Sequence, residues 1–118
     1  MGEERYLAQS RPSPAMPKIR IGDIYQIGIV VKDIQRAVER YWKTLGVGPW
    51  RIYRIEPPTL GEVFVRGKPV VISIRAAFAQ SGPVQLELIE PLEGPSIYRE
   101  FLAEKGEGLH HVQSRARP

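Results

Sequence analysis

Residues 24–31 are β-prone and apolar at nearly every position, and a helical stripe begins two residues later. A strand of that composition is buried on both faces. Its alternation puts Ile27, Ile29 and Val31 on one face and Gln26, Gly28 and Val30 on the other. Asp33 is a good N-cap, because its short carboxylate can accept from the free N–H groups of a first helical turn. After it Ile34, Ala37, Val38, Tyr41, Trp42 and Leu45 recur at helical spacing, and Gly46 offers the left-handed stop. The spacing predicts an amphipathic helix of about three turns. Its stripe should cover the Ile27, Ile29, Val31 face, with Trp42 in the core.

The rest of the chain is mainly β. Residues 50–55 read as a second strand, ended by Pro57-Pro58, and a loop with Gly61 and Gly67 follows, within which residues 63–65 can add a short strand. Residues 70–80 form one long β-prone run. Ser81-Gly82-Pro83 is a turn, and residues 84–90 alternate as a fourth main strand. In that strand Val84, Leu86 and Leu88 share one face, Gln85, Glu87 and Ile89 the other, and Pro91 is expected to end it. A second helix is predicted over 95–105, with Ile97, Phe101 and Leu102 inward and Gly106 as its stop. A final strand is predicted over 109–112, with 113–118 as a disordered tail. Residues 1–20 hold Pro12, Pro14 and Pro17 among small and polar residues, a composition that predicts a disordered arm. The expected class is α+β, in the order β-α-β-β-β, helix, and the start of a further strand. The domain boundaries are set at 21–112.

Bulk properties exclude several classes. The 118 residues suit one domain, and the chain has no cysteine, which removes disulfides, thiolate metal sites and cysteine nucleophiles. The net charge of +4 comes from scattered basic residues with no aromatic-basic ladder, so nucleic acid is not an expected partner. No apolar run approaches a membrane span, and residues 1–18 lack the apolar segment of a signal peptide. The cytoplasm is the default location, with no membrane partner.

Both histidines, His110 and His111, stand side by side at the start of the last predicted strand. Four segments carry a family resemblance: Ile24-Tyr25-Gln26-Ile27-Gly28-Ile29-Val30-Val31-Lys32-Asp33; the helix running into Leu45-Gly46-Val47-Gly48; Leu86-Glu87-Leu88-Ile89-Glu90-Pro91-Leu92; and Gly106-Glu107-Gly108-Leu109-His110-His111-Val112. In this order and spacing the chain resembles one βαβββ module of the vicinal oxygen chelate superfamily, the glyoxalase, bleomycin-resistance and dioxygenase group. The last two segments look most like the methylmalonyl-CoA epimerase branch.

The resemblance implies paired modules forming a cupped sheet that holds one divalent metal. It implies metal ligands at Gln26, Glu87 and His111. The family's fourth ligand, a glutamate late in a second module, has no counterpart here. Glutamine replaces the histidine common at position 26, and two readings stand for it: a ligand, or a polar residue hydrogen-bonded within the sheet. Glu90 falls on the opposite face, as a rim or capping charge. Imidazole, carboxylate and amide oxygen together suit zinc, nickel, cobalt, manganese or magnesium. The implied activity is a metal-dependent lyase or isomerase acting on a small carbonyl acid or thioester through an enediolate, in a homodimer. The strand over 70–80 carries no carboxylate, so the base an epimerase would place there is missing; its one charge, Arg75, could grip an anionic substrate. Trp50, Tyr53 and Arg75 are the candidate substrate-pocket residues. The alternatives are a metal-free small-molecule binding module and an inactive remnant.

Overall fold

A computed structural model describes residues 21–116. The arm expected over 1–20 and the last two residues lie outside it. Five strands form one sheet: β1 (Ile21–Val30), β2 (Arg51–Ile55), β5 (Ser73–Ser81), β6 (Val84–Glu93) and β7 (Gly108–Ala116). Their order across the sheet is β2-β5-β6-β1-β7. β1 is parallel to β6, and every other neighbouring pair is antiparallel. β3 (Val63–Val65) and β4 (Lys68–Val70) form a separate hairpin.

Helix α1 (Ile34–Leu45) is capped as its sequence requires. Asp33 Oδ1 accepts from the Arg36 N–H at 3.1 Å, and Glu90 on β6 accepts from the Ile34 N–H at 3.0 Å. Glu90 is thus a capping charge that ties the helix start to the sheet. At the other end Gly46 takes φ 66°, and the N–H groups of Gly46 and Val47 bond back to the carbonyls of Trp42 and Tyr41. The helix covers the Ile29, Leu88, Ala77 row and buries Val31, Ile34 and Ala37 with it.

Trp42 departs from its expected core position and is 57% exposed. It lies about 80° around the helix from Ile34 at 100° per residue, at the margin of the buried stripe. Tyr41 and Trp50 fill the core there instead, with rings edge-on at 5.6 Å.

The second face is covered in part by helix α2 (Ile97–Lys105). The helix starts two residues later than predicted, after Ser96, whose buried hydroxyl accepts from the Arg99 N–H at 3.1 Å. Val30, Ile89 and Ala76 align across the strands on this face and are fully buried. Ile97, expected inward, is half exposed.

Three strand boundaries differ from expectation. The run over 70–80 is broken: Arg66 and Gly67 both have positive φ, 50° and 78°, the two-residue loop of a tight hairpin, so residues 68–70 turn back on β3 and β5 begins at Ser73. β6 runs through Pro91 to Glu93. β1 has left the sheet beyond Ile89, so Pro91 sits where no donor is needed on that side. The final strand does not stop at Val112. β7 pairs along the whole of β1, with Gln113 opposite Gln26 and Ser114 opposite Ile24, so residues 113–116 are strand and not a disordered tail. The ladder is backbone hydrogen bonding, which polar side chains do not oppose at a sheet edge. Tyr25 reinforces it, donating to Gln113 Oε1 at 2.9 Å beneath the Arg115 guanidinium.

Candidate functional site

On the face away from α1 the strand register builds three parallel rows. Tyr53, Ala76, Ile89, Val30 and Gly108 form one; Arg51, Phe78, Glu87, Gly28 and His111 the next; Gln80, Gln85, Gln26 and Gln113 the third. The first is largely apolar and the third is all glutamine. Between them the middle row brings a carboxylate and an imidazole together.

Glu87 Oε1 lies 3.7 Å from His111 Nε2. The two residues sit on strands separated by β1, and Gly28 is the residue between them. The His111 ring lies over Gly28, where a β-carbon would come within 2.3–2.8 Å of three ring atoms. Burial pushes the Glu87 carboxyl above the ordinary glutamate range, and the nearby His111 charge pulls the other way. No hydrogen bond to that carboxylate is found among the described residues. A largely buried carboxylate without such a bond carries a desolvation cost that the nearby imidazole offsets only in part.

Behind His111 stands His110. A register shift between Gly28 and Ile29 lets consecutive residues approach from the same side, and their Nδ1 atoms are 2.9 Å apart. The His110 ring packs against Tyr98 and Phe101 of α2, at centroid distances of 5.1 and 5.0 Å. Burial, and then the charge of His111, lower the His110 pKa, so its ring favours the neutral form. One proton serves the Nδ1 pair. When His111 supplies it, His111 Nε2 keeps its lone pair on the side of Glu87. Tyr98 is held in its protonated form by burial and by the Glu87 charge.

Gln26 shares this face, one row along. Its Nε2 donates to Gln85 Oε1 at 2.7 Å, which leaves the Gln26 carbonyl oxygen as its available acceptor. The structure therefore brings Glu87 and His111 together and puts Gln26 in the adjoining row with its amide turned to Gln85. Among the described residues no group of three or more histidine, cysteine, aspartate or glutamate side chains could hold a metal. The two donors that are present, an imidazole and a carboxylate, are of the kinds a divalent ion takes. The Glu87–His111 gap is too long for a hydrogen bond, yet comparable to the ~3–4 Å between two donors that each lie about 2.1 Å from one ion.

The expected pocket residues do not converge. Tyr53 is on the right face, its ring 6.1 Å from that of Phe78. Trp50 is not: it packs under α1 and donates through Nε1 to the Val47 carbonyl at 2.7 Å. Arg75 is also on the α1 face, 4.0 Å from Glu90. The strand period already separates Trp50 from Tyr53, since residues three apart on a strand point to opposite faces. The same alternation singles out Arg51 and Phe78, which sequence reasoning missed.

Residues 25–115 match the profile of the glyoxalase/bleomycin resistance protein/dioxygenase superfamily. The chain belongs to that superfamily. It is 54% identical over 86 residues to the uncharacterized protein YqjC of Bacillus subtilis (strain 168), covering 73% of this chain and 51% of the relative. The chain thus spans about half the length of that curated relative. Among solved structures it resembles the hypothetical protein BH1468 from Bacillus halodurans C-125, at 27% identity and TM-score 0.53, covering 76% of this chain and 55% of that one. It shares the fold of the methylmalonyl-CoA epimerase from Mycobacterium tuberculosis, at 23% identity and TM-score 0.56, covering 89% and 62%. A further methylmalonyl-CoA epimerase matches at 26% identity and TM-score 0.50, covering 84% and 65%.

Proposed function

We propose that this chain holds a divalent metal through Glu87 and His111, with the Gln26 carbonyl oxygen as third donor. We further infer that it works there as a lyase or isomerase on a small carbonyl acid or thioester. The observation that supports this most directly is the middle row: a largely buried carboxylate and an imidazole nitrogen face one another 3.7 Å apart, the carboxylate making no hydrogen bond among the described residues. Superfamily membership supports it independently.

A bound divalent ion would supply Lewis-acid polarisation of a substrate carbonyl oxygen. The chain's own residues do the rest. Gly28 lets the His111 ring settle over β1. His110 holds His111 Nδ1 and so aims Nε2 at Glu87. Gln85 holds the Gln26 nitrogen and leaves the oxygen available. The buried Val30, Ile89, Ala76 row under α2 keeps water from one side of the site. The second-face positions of β5 are Ile74, Ala76, Phe78 and Gln80, none of which is a base. β5 therefore contributes surface to this site and no proton acceptor. The reading includes a homodimer and a cytoplasmic setting; no helix among the described residues is long and apolar enough to cross a membrane.

The test is metal content and mass in solution under native mass spectrometry, after soaking with zinc, nickel, cobalt or manganese. The expected result is stoichiometric metal, with affinity falling about 100-fold or more in Glu87→Ala and in His111→Ala, since even residues behind a ligand cost 10–100-fold. No metal from any of the four ions overturns the reading.

A further inference from the structure

Most arginines near the sheet are engaged. Arg54 bonds to Glu56 at 3.1 Å and to Glu93 at 2.8 Å, Arg75 lies 4.0 Å from Glu90, and Arg66 bonds to Glu100 at 2.6 Å. Arg51 stands apart. Its side chain makes no ion pair and no hydrogen bond among the described residues. It opens β2 on the same face as Glu87, and the register puts it in the same row: Arg51 opposite Phe78, and Phe78 opposite Glu87. Strands are spaced ~4.8 Å apart, so about 10 Å of sheet separates the Arg51 and Glu87 backbones. Only the Phe78 ring lies between them in that row.

At the Arg51 end there is a cavity of about 220 Å³, lined by Arg51, Phe78, Gln80 and Gln85 together with Gly48 and Pro49. A water molecule occupies about 30 Å³ in the liquid, so the cavity has room for a carboxylate and a few carbons. Its lining is mostly apolar, and the polar side chains in it, Arg51, Gln80 and Gln85, can donate to an anion. The Gln85 oxygen is taken by Gln26, which leaves the Gln85 N–H groups to donate. The Gln80 nitrogen already donates to the Gly82 carbonyl at 2.9 Å. Among the described residues no carboxylate lines the cavity.

We propose that this cavity is a carboxylate subsite. The Arg51 guanidinium takes the anionic end of a ligand, Gln85 adds an amide donor, and the ligand's carbon chain lies over Phe78 toward Glu87 and His111. A planar guanidinium with no other partner among the described residues can pair with a carboxylate through two parallel hydrogen bonds. Resting on the metal reading for the location of the reacting carbonyl, this narrows the substrate to a molecule carrying a second, distal carboxylate. The subsite itself needs no metal.

The test uses the full chain, with and without nickel. Glutarate, its neutral diamide glutaramide and inorganic phosphate serve as probes, followed by the NMR signals of the Arg51 Nε–H and the Gln85 side-chain amide. Glutarate should shift both signals saturably in the metal-free protein, and glutaramide should not. Arg51→Gln should weaken glutarate binding about tenfold or more, the scale of one lost hydrogen bond to a charged group. Arg75→Gln, on the other face, should leave it unchanged. Nickel affinity should be the same in Arg51→Gln as in the parent. The proposal is overturned if Arg51→Gln binds glutarate as the parent does, if Arg75→Gln weakens it equally, or if phosphate alone moves the signals. If no metal binds but the Arg51 effect holds, the metal reading falls and the carboxylate subsite stands.

Discussion

The two faces of the sheet treat their polar groups in opposite ways. On the α1 face Arg54, Arg75 and Glu90 all have partners, and Glu90 caps the helix. They frame a core of Leu88, Ala77, Ile34 and Ala37. On the other face Glu87 has only the His111 ring nearby, at 3.7 Å, and among the described residues its carboxylate, the Gln26 oxygen, the Gln85 nitrogen and the Arg51 side chain retain open hydrogen-bonding capacity. Paired charges beside a packed core are what stability requires. Charges left with open capacity in one row point to a partner from outside the chain. The difference teaches that stability and binding can be disturbed separately here, one face at a time.

The largest effect should come from breaking the packed face. Leu88 is fully buried under α1, so Leu88→Ala should lower the unfolding free energy by about 2–5 kcal/mol. Urea denaturation would measure that. If metal affinity of the folded fraction fell in parallel, the faces would not be separable.

A smaller and opposite pattern is expected for His110. His110→Phe keeps a ring between Tyr98 and Phe101 but removes the nitrogen that holds His111. Metal affinity should fall by about 10–100-fold with little change in melting temperature. His110→Asn, which returns a polar atom near the Nδ1 position, should recover part of the loss. Equal affinities for the phenylalanine and asparagine variants would reduce His110 to a packing residue.

The smallest effect concerns pH. Burial raises the Glu87 carboxyl above its ordinary value of 4.5 in the folded, metal-free chain. The fold therefore favours the protonated form. That contribution is fully present below the ordinary value and is lost as pH rises through the raised one. Glu87→Gln should remove this loss, so its melting temperature relative to the parent should climb between pH 4 and pH 7 without metal. A difference that stays flat across that range would mean Glu87 is better solvated than its position indicates.

Much of this was legible from local chemistry. Asp33, the stripe from Ile34 and Gly46 define α1 because caps and periodicity act over a few residues. Strand alternation put Gln26 and Glu87 on the face away from α1, where the structure has them. Other features depend on partners distant in sequence. The strand after His111 continues because β1 offers it a free edge, and nothing in Gln113, Ser114 or Arg115 announces that. Pro91 is tolerated because β1 has already left β6. Trp42 and Trp50 have similar composition signals, and three-dimensional packing chose Trp50 for the core. Arg75 drew attention as the charge in a long apolar run, whereas Arg51 becomes conspicuous once the register shows which face it shares.

Gly28 and His111 are 83 positions apart in the chain, yet the ring of one occupies the space a side chain on the other would need. The two positions are therefore coupled as a lock is to its key. Even a single methyl at position 28 would push the imidazole out of its place over β1, so the missing side chain at residue 28 is what lets residue 111 reach across the strand.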